Sequence, residues 1–77
     1  MITYEFVLNL AQEAIEDNFL EISPWEFVKK VHKEVEEGLT NDQKGELYEI
    51  FDKAMNSDGE RAEDYVADVS EVLGIEL

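Results

Sequence analysis

A chain of 77 residues with 20 acidic and 6 basic side chains carries a formal charge of −14, and it contains one histidine and no cysteine. That inventory excludes disulfide staples, thiolate zinc sites, thiol nucleophiles and any site that needs two imidazoles. The length allows a single domain, whose core supplies roughly 3–5 kcal/mol of net stability, so a large catalytic cleft is not expected.

An apolar fraction of 44% is enough to build a core in spite of the charge, so the chain is expected to fold. Acidity of this strength repels phosphate backbones and anionic lipid, which disfavours direct nucleic-acid or membrane binding, and it attracts basic protein surfaces. The segment Met1-Ile2-Thr3-Tyr4-Glu5 lacks the basic region of a signal peptide. No apolar run approaches the ~18 residues of a membrane span. These features lead us to expect a cytoplasmic protein.

The punctuation of the chain predicts four helices. The first starts after Thr3 as N-cap, with Glu5 facing the positive end of the helix dipole, and runs to about Asn18, a residue that tolerates the left-handed conformation of a cap. Ser23-Pro24-Trp25-Glu26 starts the second: a capping serine, proline at the first helical position and glutamate at the third, with Ile22 and Phe27 as a hydrophobic staple. Val28, Val31 and Val35 carry this helix to a stop at Gly38, and Leu39 folds back onto it. Thr40-Asn41-Asp42-Gln43 is a second capping box, opening a helix whose stripe is Leu47, Ile50, Phe51 and Ala54. After the turn Asn56-Ser57-Asp58-Gly59, Ser57 and Glu60 form a third box ahead of Ala62, Val66, Val69 and Leu73, and Gly74 ends the last helix.

The predicted helices span residues near 4–18, 24–37, 41–55 and 60–73, with no strand and no linker. The expected fold class is all-α, one compact domain over 1–77, arranged as a bundle or an orthogonal array. Helices of ~14 residues are unstable alone and must hold one another by packing.

Several motifs are tested and set aside. Leu39–Gln43 followed by Glu49–Lys53 resembles the incoming helix of the calcium-binding EF-hand family. With Gly59 at the sixth loop position, however, Ala54 stands first and Tyr65 twelfth, where carboxylates belong. The size, acidity and short helices are similar in format to acyl carrier proteins, but the Asp-Ser-Leu that takes their prosthetic arm is absent. Bacteriocin immunity proteins share the format too, and their Tyr-Tyr-Pro is missing. Paired acids such as Glu13 with Asp17, or Asp64 with Asp68, lie one turn apart and read as solvated helix faces. No catalytic residue, cofactor or metal site is expected.

Two surfaces remain as candidates for contact. The first helix is apolar over more than one packing face: Phe6, Val7, Leu10 and Ala14 make one stripe, and Tyr4, Leu8, Ile15 and Phe19 a second. Either this helix is central, or the second stripe meets a partner or a second copy of the chain. Trp25 and His32, seven residues apart on the second helix, extend that candidate surface. The other candidate is an acidic face of Glu60, Glu63, Asp64, Asp68 and Glu71, which would serve either solubility or imitation of nucleic-acid phosphates. The expected function is a small non-catalytic protein-interaction module, with an acidic phage-type inhibitor that mimics nucleic acid as the alternative. The expected partner is another protein, basic in the mimic case.

Overall fold

The computed structural model describes residues 2–57 and 61–75, in which four helices follow one another: α1 (Tyr4–Glu16), α2 (Pro24–Glu34), α3 (Asn41–Met55) and α4 (Ala62–Leu73). The fold is all-α, with no strand among the described residues. The capping chemistry explains most of the boundaries. Oγ1 of Thr3 accepts the Phe6 N–H at 3.2 Å, Oγ of Ser23 accepts the Glu26 N–H at 3.3 Å, and Thr40 and Gln43 satisfy each other's backbone N–H groups at 3.1 and 3.0 Å.

Three boundaries differ from the sequence expectation. The first helix stops at Glu16 rather than Asn18, because Asn18 and Phe19 both turn left-handed, with φ of 54° and 60°. An aromatic residue rarely takes this conformation. Here it is held by the Phe19 N–H donating to the Ala14 carbonyl at 2.8 Å and by the Phe19 ring meeting Phe51 edge-on at 5.3 Å. The second helix stops at Glu34, short of residue 37, and Val35 is already extended. Glu34, Glu36 and Glu37 would load the negative end of the helix dipole with like charge, which disfavours further turns.

The last helix begins at Ala62 with Arg61 at the N-cap, so Ser57 does not cap it, and Glu60 lies outside the described residues. Asp64 performs the reach-back half of a capping box, its Oδ2 accepting the Arg61 N–H at 3.0 Å. Arginine has no acceptor for the other half.

The packed pairs are α1 with α4, α4 with α3, and α3 with α2. Side-chain contacts place the later part of α1 beside the start of α4, and the start of α3 beside the end of α4. The Tyr65 hydroxyl donates to the Ala11 carbonyl at 3.4 Å, and Gln43 Nε2 near the start of α3 donates to the Val72 carbonyl near the end of α4 at 3.4 Å. Trp25 at the start of α2 reaches Tyr48 in the middle of α3. In this arrangement α4, not α1, lies between two helices.

A single core holds the domain together. Phe51 is its hub: stacked on Phe27 at 4.2 Å with only 9° between the rings, and edge-on to both Phe19 and Tyr65. Aromatic pairs in these geometries contribute about 0.5–1.5 kcal/mol each beyond the area they bury. Val7, Val31, Leu47, Val66 and Val69 close around this cluster with no exposure. The radius of gyration, 11.1 Å, matches the roughly 11 Å expected for a compact chain of this length. No helix among the described residues is long and apolar enough to cross a membrane.

Candidate functional site

The apolar side chains that the fold leaves outside lie on neither stripe of α1. Tyr4, Leu8, Ile15 and Phe19 are half-buried and pack against the core. Among the described residues the exposed large apolar side chains are Leu20, Trp25, Tyr48 and Met55, of which Trp25 is 51% and Tyr48 40% accessible. Trp25 and Tyr48 meet across α2 and α3 with ring centroids 6.0 Å apart in a T-shaped contact. Met55 lies two turns beyond Tyr48 on the same side of α3.

Trp25 is exposed because of its place in the helix. Ser23 and Pro24 set the first turn of α2, and Phe27, Val28 and Val31 point its packing face at α3, which leaves residue 25 on the flank. His32 is on that same flank one to two turns on, and it does more than the sequence suggested. Its Nδ1 accepts the Leu39 N–H at 2.9 Å, tying the α2–α3 loop back to the helix. Between Trp25 and His32, with Val28, Lys29 and Lys44, lies a hollow of about 120 Å³. Lys29 also pairs with Glu26 at 3.7 Å, one helical turn away and open to solvent.

Charge is distributed unevenly over the bundle. The spans of α1 and α4 contain no lysine or arginine, whereas α2 carries Lys29, Lys30 and Lys33 and α3 carries Lys44 and Lys53. Glu63, Asp64, Asp68 and Glu71 are exposed on α4, and Glu5, Glu13 and Glu16 are exposed on the adjacent α1. Two neighbouring helices therefore present carboxylates from spans that hold no cation, although Arg61 at the N-cap of α4 lines a cleft with Glu16 and Glu63, and Lys53 of α3 one with Asp68. Glu60 lies outside the described residues. Among the described residues, no group of three or more His, Asp or Glu side chains is placed to hold a metal ion.

Tyr48 and Lys44 are the residues that the sequence reading missed. Tyr48 lies off the Leu47–Ile50–Phe51–Ala54 stripe, between Lys44 four residues before it and Asp52 four after. An aromatic residue on the charged side of an amphipathic helix was the available signal.

Set against known proteins, the chain stands apart: no family model, curated protein or solved structure matches it. What the fold and this surface define is a small four-helix domain with an aromatic pair on one flank and acidic helices on the other.

Proposed function

We propose that this chain is a small, non-catalytic protein-interaction module of the cytoplasm, and that its contact surface centres on Trp25 and Tyr48. The observation that carries the proposal is the exposed T-shaped pair itself. Tryptophan and tyrosine are the residue types on which binding energy concentrates, and here two of them stand together outside the core on a rigid two-helix platform. The half-buried stripe of Tyr4, Leu8, Ile15 and Phe19 contributes at its edges only. Affinity capture with wild type, Trp25→Ala, Tyr48→Ala and Leu8→Asp, followed by calorimetry on the protein recovered, tests this reading. Equal affinity for wild type and the two aromatic variants would sink it.

A second reading is favoured by the acidic pair α1 and α4, whose spans hold no lysine or arginine. Their exposed carboxylates, Glu63, Asp64, Asp68 and Glu71 with Glu5, Glu13 and Glu16, suit the basic groove of a nucleic-acid-binding protein. Salt combined with Trp25→Ala discriminates between the two. Binding through the acidic helices collapses as ionic strength rises and survives Trp25→Ala, whereas binding through the aromatic pair is lost in that variant.

A further inference from the structure

The hollow beside Trp25 differs in chemistry from the rest of the surface. Four other clefts among the described residues each include at least one carboxylate, as expected of a chain with 20 acids and 6 bases. This one is lined by Trp25, Val28, Lys29, His32 and Lys44 and includes none, although Glu26 just outside the lining pairs with Lys29 at 3.7 Å.

Its polar groups are also all of one kind. Lysine ammonium groups and the indole N–H donate hydrogen bonds and accept none. Because His32 Nδ1 accepts the Leu39 N–H, the neutral ring carries its own proton on Nε2, so it too offers a donor at its other nitrogen. A floor of Val28 and the indole, surrounded by donors alone, calls for an occupant with an apolar body and acceptor oxygens. At about 120 Å³ the hollow takes one side chain, since a cleft for a free-standing ligand needs roughly 300–1,000 Å³.

We propose, building on the interaction-module reading above, that this hollow receives an acidic segment of a partner protein. One apolar side chain of that segment seats between Trp25 and His32, and flanking carboxylates lie against Lys29 and Lys44. The net charge of −14 opposes this less at contact than its size suggests, because charges more than about 8 Å away are largely screened at physiological ionic strength and the acidic α4 packs chiefly on α1 and α3; Glu26, on α2 itself, competes for Lys29. The remote acids slow the encounter; the local cations set the selectivity.

Selection of short random peptides on the full chain, with counter-selection on Trp25→Ala, tests the assignment without presuming a sequence. The expected winners are net acidic, carry an aliphatic or aromatic anchor, quench Trp25 fluorescence, and bind roughly tenfold more weakly to a chain with Lys29→Glu and Lys44→Glu. The milder Lys29→Gln and Lys44→Gln pair, with helicity checked by circular dichroism, separates lost charge from lost fold. Winners that depend on Trp25 but are basic or uncharged overturn the acidic assignment and leave the module reading standing. Winners that ignore Trp25 altogether, or no winners, overturn both.

Discussion

The backbone N–H of Leu39 donates to Nδ1 of His32 across seven residues, at 2.9 Å, and this one bond closes the connection between α2 and α3. Gly38 lies beneath the imidazole with φ at +77°, and a Cβ built there would come within 2.7 Å of the ring's Cε1. The loop therefore needs glycine twice, for its left-handed backbone and for the room the histidine takes. Leu39, delivered by this turn, is buried in the core.

Gly38→Ala is expected to destabilise the fold by about 2 kcal/mol, of which the left-handed backbone accounts for roughly 1–2 kcal/mol and displacement of the ring for the rest. Urea unfolding of Gly38→Ala alone and with His32→Ala checks the division. The double variant should lose less than the two single losses added together, because the clash disappears with the ring.

His32→Ala should cost about 1 kcal/mol, the usual net worth of a single hydrogen bond. Urea unfolding of wild type and His32→Ala under one set of conditions measures the loss, and equal midpoints would contradict the bond.

Ser70 is fully buried, and its hydroxyl has no hydrogen-bond partner among the described residues. An unpaired buried hydroxyl carries a desolvation penalty of about 1–3 kcal/mol, and alanine is also the better helix former. Ser70→Ala is expected to raise stability by about 1 kcal/mol, seen as a later urea midpoint with an unchanged slope.

Phe51→Ala removes the hub to which Phe19, Phe27 and Tyr65 are packed, a loss of about 3–5 kcal/mol that equals the whole stability expected of so small a core. The variant should lose cooperative unfolding and much of its helicity. Trp25→Ala, at a half-exposed position, should cost less than about 1 kcal/mol and leave the circular dichroism spectrum unchanged. The contrast makes Trp25→Ala a clean probe of binding.

Much of the fold was legible one helix at a time. Thr3, Ser23 with Pro24, and Thr40 with Gln43 announce helix starts through bonds that span three residues, and Gly74 announces a stop. The early end of α2 was not legible, because the loop that leaves it is held by a bond from Leu39 to a side chain seven residues back in the helix. Neither was the position of Phe19, whose uncommon backbone makes sense only beside Phe51. The candidate site was half visible: Trp25 and His32 share one helix and could be placed together, whereas Tyr48 and Lys44 belong to another.

The sequence by itself determined that the chain makes four short helices and that it is strongly acidic, because caps, turns and apolar periodicity act over one or two turns and charge is a sum. Only the tertiary structure decided that α4 and α3 form the middle, that the second stripe of α1 packs against the core, and that Trp25 meets Tyr48 across two helices and also borders a hollow with Lys29, His32 and Lys44. Those facts depend on the register in which one helix lies against the next, and that register is settled by how Phe27, Phe51, Phe19 and Tyr65 interlock rather than by the local preference of any segment.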